Sequence, residues 1–164
     1  MKEILIIGGG GYIGTYLLEK LSKINNYKIT SIDIYHKITY DNVTYINERY
    51  ENLNIDFYEK FTDIILLAGQ SHVANSKNIL EVIDNNIRNF AWLLDHLKEN
   101  QKLIYASSSS VYNSDNNNES TEDFINYLPK NYYDLSKYII DNIAQLSNKH
   151  YYGLRFGTVN GYSN

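Results

Sequence analysis

Two stretches in the second half of the chain carry side chains able to take a proton from an alcohol. Ser107-Ser108-Ser109-Ser110-Val111-Tyr112 closes an apolar run, and Tyr133-Asp134-Leu135-Ser136-Lys137 opens a segment of helical period. Tyr133 and Lys137, four residues apart, share one face of a helix. A protonated lysine beside a phenol favours the phenolate and brings its pKa toward working pH, which makes Tyr133 a candidate general base. Ser108 at a strand end can hydrogen-bond the same substrate oxygen. The trio suits removal of a hydroxyl proton while hydride leaves the same carbon for a nicotinamide. The spacing alone is not distinctive, because among 17 tyrosines such a pair arises by chance. Tyr16 and Lys20 make a second one, directly behind a glycine turn, and read as a surface pair. Tyr133 and Lys137 are preferred because they follow the serine-ended strand in an α/β order that brings both to the carboxyl edge of a sheet. Read as plain structure, Tyr133 is helix surface and Ser108 a turn residue.

A second constellation opens the chain. Gly8-Gly9-Gly10-Gly11-Tyr12-Ile13-Gly14 follows an apolar run and precedes a helical pattern. A strand-to-helix turn without Cβ atoms lets backbone N–H groups approach a pyrophosphate, and the helix N-terminus adds partial positive charge. Gly14 allows close contact between helix and strand. Asp33 ends the second strand, 19 residues after Gly14. A carboxylate there accepts both ribose hydroxyls of an adenosine and repels a 2′-phosphate. A plain tight turn is the bland alternative for the glycines. The strand before, the helix after and the acid beyond point instead to a dinucleotide, NAD in preference to NADP. Lys37 is near enough in sequence to leave NADP open.

The elements that must position these groups emerge from periodicity. Candidate strands are 3–7, 28–33, 43–46, 63–68, 102–107 and 151–156, several of them apolar on consecutive residues, as strands buried on both faces of a parallel sheet should be. Helical periods cover 12–24, with Leu17, Leu18, Leu21 and Ile24 on one side, then 79–97 and 133–146. The link 47–62 has a weaker pattern that fits a short helix, and 113–123 reads as a polar surface loop. Alternation of this kind implies βαβ units and an α/β fold, a doubly wound Rossmann-type parallel sheet flanked by helices. No internal repeat is visible.

Composition narrows the classes further. A length of 164 residues fits one domain, 1–164, and the apolar fraction of 43% excludes a wholly disordered chain. A net charge of -4 leaves no basic excess to release counterions, which argues against a nucleic-acid partner. The absence of cysteine removes disulfides, thiolate metal sites and a cysteine nucleophile. His36, His72, His96 and His150 show no ligand spacing, so no metal is expected. The first apolar run is too short for a signal-peptide core, and no later run reaches the length of a membrane span. The expectation is a soluble, cytoplasmic protein with no membrane partner.

Order and spacing together resemble the NAD-binding part of the extended short-chain dehydrogenases/reductases, the NAD-dependent sugar-nucleotide epimerase/dehydratase family, over essentially the whole chain. GGGGYIG resembles the family's GGxGFIG, and Asp33 its ribose-binding acid. Residues 63–69 are similar to the fourth strand that passes beside the cofactor, and Asn86 falls where the family has an Asn in its long helix. Ser108, four before Tyr112, matches the catalytic Ser/Thr, and Tyr133 comes 25 residues later. Residues 155–161 resemble the R-x-x-N-x-x-G segment after the sixth strand. The resemblance implies catalytic Ser108, Tyr133 and Lys137. It implies NAD held by Gly8, Gly11, Tyr12, Ile13, Gly14, Asp33, Ile34, Leu67, Ala68, Gly69, Asn86, Ser107, Tyr133 and Lys137. It also implies a sugar-nucleotide substrate and a homodimer formed through the two long helices, with burial of those faces against their own sheet as the alternative.

Departures from the family pattern bear on the substrate and on the reaction. Thr158 replaces an Asn that contacts the substrate diphosphate. The third strand ends in Asn47-Glu48-Arg49 without a clear adenine-contacting Asp. Asn113 replaces a Gly after Val-Tyr, and Asn89-Phe90 a usual Gly-Thr. Residues 68–73 look like the matching stretch of 4,6-dehydratases, but Ser109 and Ser110 stand where those enzymes carry an acidic residue. Epimerisation or simple oxidation is therefore favoured over dehydration. Family members continue for roughly as long again beyond Asn164 with a domain that holds the sugar nucleotide, so the C-terminal substrate domain is expected to be absent. Three readings remain: an epimerase-type oxidoreductase, a non-catalytic dinucleotide-binding or redox-sensing module, and an NAD enzyme on another small alcohol or carbonyl.

Overall fold

The computed structural model describes residues 2–71, 78–112, 122 and 129–161. Six strands form one sheet: β1 (Lys2–Ile7), β2 (Tyr27–Asp33), β3 (Val43–Asn47), β4 (Asp63–Leu66), β5 (Lys102–Ser108) and β6 (His150–Phe156). All pairings are parallel, in the order β3-β2-β1-β4-β5-β6. The order reverses between β1 and β4, so the carboxyl ends of these strands frame the crevice where a doubly wound sheet takes its ligand.

The consecutive apolar residues of β1 are explained by packing on both faces. Ile4 and Ile6 join Leu18, Ile29 and Val43 on one side, under α1 (Tyr12–Leu21). Leu5 and Ile7 join Ile32, Ile64, Phe90, Leu93, Leu103 and Ile140 on the other. That second side is covered by α2 (Ile79–Val82), a π-helical segment (Ile83–Arg88), α3 (Asn89–His96) and α4 (Tyr132–Leu146). Each fully buried Leu, Ile or Phe contributes about 1.5–3 kcal/mol, which makes the two clusters the main source of stability.

Several expected boundaries shift for identifiable reasons. The first helix stops at Leu21, where the Ser22 hydroxyl donates to the Glu19 carbonyl at 3.1 Å, and Ile24 is left exposed. β4 ends at Leu66, because the Leu67 and Ala68 amides both donate to the Ile7 carbonyl, at 2.8 and 3.0 Å. The link 47–62 holds two 3-10 turns, Tyr50–Asn52 and Ile55–Lys60, which bury Tyr50 and Tyr58. Phe90 is a core residue, and Trp92 packs edge-on against Tyr58, with ring centroids 5.7 Å apart. The polar loop 113–123, apart from Glu122, and His72 lie outside the described residues. No helix among the described residues is long and apolar enough to cross a membrane.

Candidate functional site

The glycine turn joins β1 to α1 through residues 8–11. Gly8 has φ +93, and a Cβ there would overlap the Ala68 backbone. A Cβ on Gly9 would strike Ser31 Oγ, and one on Gly14 the Gly8 carbonyl, so these glycines are demanded by the fold itself. Gly11 is different. Its φ of -75 suits any residue, and a Cβ would meet nothing closer than the Gly8 carbonyl at 3.4 Å. Nothing in the chain's own packing requires a glycine at that helix N-cap, whereas a phosphate lying against the first amides of α1 would.

Asp33 stands at the end of β2, across the turn. Its Oδ2 accepts from the Gly10 amide at 3.0 Å and its Oδ1 from the Tyr35 amide at 3.5 Å. Ile34, beside it, is exposed. On the other flank, Leu67, Ala68 and Gly69 continue from β4 past the glycine turn. Asn86 fixes the end of this strip. Its Oδ1 accepts from the Gln70 amide at 2.7 Å, and its Nδ2 donates to the Gln70 carbonyl at 3.1 Å and to Ser136 Oγ at 3.0 Å. The π-helical segment carries Asn86 inward to make these bonds; π-bulges of this kind are common at functional sites.

The candidate proton-transfer groups sit next to this strip. Ser108, the last residue of β5, accepts from the Ser110 amide at 3.2 Å, which caps the 3-10 turn Ser109–Val111. Asn131 caps α4, accepting from the Asp134 amide at 2.9 Å, and so sets the start of the helix that presents Tyr133. One turn on, the Lys137 Nζ donates to the Ala106 carbonyl at 2.7 Å and lies 5.7 Å from the Tyr133 ring centroid. The lysine is buried, against a small cleft lined by Leu66, Ala68, Asn86, Phe90 and Ile140. Burial pushes its pKa from 10.5 down to about 8, and the Asp141 carboxylate opposes that fall. Ser107 is buried, and its Oγ has no hydrogen-bond partner among the described residues. The fold thus brings Ser108, Tyr133 and Lys137 to one edge of the sheet, beside the glycine turn. The Tyr16–Lys20 pair does not compete: Tyr16 packs edge-on to Tyr12, and Lys20 reaches Glu19 at 3.7 Å.

One group of residues was not singled out by spacing. Asp141, on α4, accepts from Tyr105 Oη of β5 at 2.9 Å and from Arg155 Nε of β6 at 3.0 Å. Arg155 also donates to Tyr112 Oη at 2.9 Å. Burial, then the neighbouring Asp141 carboxylate, pushes the Tyr105 phenol up. The signal available in sequence was the i, i+4 spacing of Lys137 and Asp141. Of the histidines, His36 bridges Ser31 Oγ at 2.8 Å and Asn47 Oδ1 at 2.7 Å. No cluster of three metal-ligating side chains occurs among the described residues.

A family model described as the NAD dependent epimerase/dehydratase family matches residues 4–164. The chain belongs to this family. Among its relatives, dTDP-D-glucose 4,6-dehydratase of Dictyostelium discoideum is 31% identical over 88% of this chain and 40% of its own length. Protein CapI of Staphylococcus aureus is 33% identical over 97% and 54%. The chain spans about half the length of the curated relatives it matches. In fold it is similar to UDP-glucuronic acid 4-epimerase from Bacillus cereus, crystallised in complex with NAD, with a TM-score of 0.81 at 22% identity, covering 95% of this chain and 56% of that one. The Rossmann-type parallel sheet expected from strand–helix alternation is therefore the fold of this family.

Proposed function

We propose that the chain is the NAD-binding, proton-transferring part of an enzyme that oxidises a hydroxyl of a sugar nucleotide. The observation that carries this is the docking of Lys137 on the Ala106 carbonyl, with Tyr133 one turn away and Ser108 at the end of the same strand as Ala106. The open space at Gly11 and the carboxylate of Asp33 fit a dinucleotide. NAD, when bound, supplies the hydride acceptor.

The first amides of α1, at Tyr12 and Ile13, would hold the diphosphate, with Gly8, Gly11 and Gly14 keeping the turn free of side chains. Asp33 accepts the adenosine ribose hydroxyls, and its charge disfavours a 2′-phosphate, so NAD is taken over NADP. Ile34 would flank the adenosine. Leu67, Ala68 and Gly69, braced by Asn86, would line the cofactor. Ser107 and Lys137 would hold the nicotinamide ribose. Tyr133 takes the proton from the sugar hydroxyl that Ser108 orients, and the Lys137 ammonium stabilises the phenolate. Epimerisation is favoured over water elimination, because Ser109 and Ser110 offer no carboxyl acid after Ser108. The same reading treats residues 1–164 as one dinucleotide-binding domain, working in the cytoplasm as a homodimer joined through the helical stretch 79–97 and α4.

Calorimetric titration with NAD and NADP tests the first half. Gly11→Val should abolish NAD binding while the chain still folds, at a cost of about 1 kcal/mol for the poorer helix cap, and unchanged affinity would refute the site. The second half is tested by adding UDP-sugars to the NAD-loaded chain and following enzyme-bound reduced cofactor by absorbance. Tyr133→Phe should remove that signal and keep NAD binding. A variant as active as the parent would exclude Tyr133 as the base. NAD binding without any response to sugar nucleotides would favour the non-catalytic module only in a protein that also carries the family's sugar-nucleotide-holding domain.

A further inference from the structure

His36 joins two polar groups whose roles fix one another. Its Nε2 lies 2.8 Å from Ser31 Oγ and its Nδ1 2.7 Å from Asn47 Oδ1. Ser31 is fully buried beneath the glycine turn, where a Cβ on Gly9 would strike its hydroxyl. Among the described residues, His36 is the hydrogen-bond partner of that hydroxyl. A buried hydroxyl proton without an acceptor is costly, so Ser31 donates and Nε2 accepts. In the neutral imidazole the proton then sits on Nδ1, and an acceptor must face it. Asn47 therefore turns its carbonyl oxygen to the ring and its amide N–H groups away. The Tyr45 ring stands edge-on to the imidazole, with centroids 4.8 Å apart, and packs it in this orientation.

Asn47 ends β3 beside Asp33, its partner in the β2–β3 register, and the Glu48 amide donates to the Asp33 carbonyl at 3.0 Å. With a diphosphate at the β1 turn and a ribose at Asp33, the base, next in line, falls at the end of β3. Ile34 and Tyr35, both exposed, offer it apolar surface. Exposed Asn47 offers it hydrogen bonds, and the relay from Ser31 leaves those as donors. Adenine presents a donor at its 6-amino group and an acceptor at N7, whereas a 6-oxo purine presents acceptors at both places. We propose that this base subsite takes a 6-oxo purine dinucleotide as tightly as NAD or more tightly, because Ser31 and His36 make Asn47 a donor toward the 6-position. This rests on the placement of the adenosine at Asp33 under the proposed function.

Calorimetric titration of the chain with NAD and with nicotinamide hypoxanthine dinucleotide reads the 6-position directly. The hypoxanthine form should bind within about threefold of NAD or tighter, and NAD tighter by more than that overturns the proposal. Asn47→Asp replaces the donors by oxygens, which can face both His36 and a 6-amino group. It should move the ratio toward NAD by about tenfold. The added charge acts on both ligands alike, so a ratio that does not move overturns the subsite. Asn47 is exposed, and this exchange leaves the core untouched. The relay is tested without a ligand by 15N NMR of the histidine-labelled chain at mildly alkaline pH, with His36 identified by the loss of its resonances in His36→Gln. The proton should sit on Nδ1; a proton on Nε2 overturns the relay and the proposal with it. Binding of neither dinucleotide would overturn the proposed function and this subsite together. NAD bound with a strong preference over the hypoxanthine form would overturn the subsite alone.

Discussion

Replacing Lys137 by methionine should make the protein more stable at neutral pH while destroying its chemistry. The lysine is buried, and its pKa drops from 10.5 in the open chain to about 8 in the fold. That gap represents about 3 kcal/mol spent on keeping the charged form inside at pH 7. Methionine has a similar unbranched reach and carries no charge, but it leaves the Ala106 carbonyl without its donor, a loss of about 1–3 kcal/mol. The net gain at neutral pH is therefore about 0–2 kcal/mol, and the pH dependence is the sharper signature. Between about 8 and 10.5 the unfolded lysine holds a proton that the folded one has lost, so the parent gains stability as pH rises through that window. Below about 8 both states are protonated and the whole cost is present. Buried Tyr50, Tyr58 and Tyr105 have phenol pKa values pushed up, so both proteins lose stability above the ordinary tyrosine range, and this cancels in the difference. Urea unfolding of parent and Lys137→Met across this range should show the parent gaining about 3 kcal/mol relative to the variant. A difference that stays flat with pH would refute the buried ammonium.

Other outcomes can be worked from the site. Asp33→Asn should lower NAD affinity about tenfold, by weakening a charge-assisted hydrogen bond, and narrow the preference over NADP, both read by calorimetry. Gly9→Ala should cost about 1–3 kcal/mol in urea unfolding, because its methyl overlaps the hydroxyl of fully buried Ser31, whereas Gly11→Ala, which meets no overlap, should cost no more than the about 0.5–1 kcal/mol of a poorer helix cap. Asn86→Leu should cost about 2–4 kcal/mol by stranding the Gln70 amide and carbonyl together with Ser136 Oγ; a variant as stable as the parent would mean that water replaces the side chain.

What was legible in the sequence was what local pattern controls. The run 4–7 is apolar on every residue because both faces of β1 are covered, and that pattern led directly to a parallel sheet. The glycines, Asp33 and the Tyr133–Lys137 spacing likewise mark their own surroundings. The distinction between Gly11 and its neighbours was not legible, since it depends on whether Ser31 or the Gly8 carbonyl lies behind each Cα. The Tyr105–Asp141–Arg155 set was hidden for a similar reason: it exists only in the register that places Gly153 beside Tyr105. Gln101, a polar residue in a turn, gives no hint that it is buried with its amide on the Tyr58 and Phe61 carbonyls, at 2.7 and 2.8 Å.

The widened turn at Ile83–Arg88 has a bearing on how the chain tolerates change in length. Buried Val82, Asn86 and Phe90 are spaced by four, longer than the α-helical period, so the segment carries the equivalent of one surplus residue. Deleting a single residue there would let an ordinary α-helix run from Ile79 to His96. Phe90, Leu93 and Leu94 could keep their seats in the core while the Asn86 side chain swung away from Gln70. Most single deletions inside a helix scramble one whole face. Here the damage would fall on the strip beside the crevice, leaving a protein that folds but has lost the brace for residues 67–70.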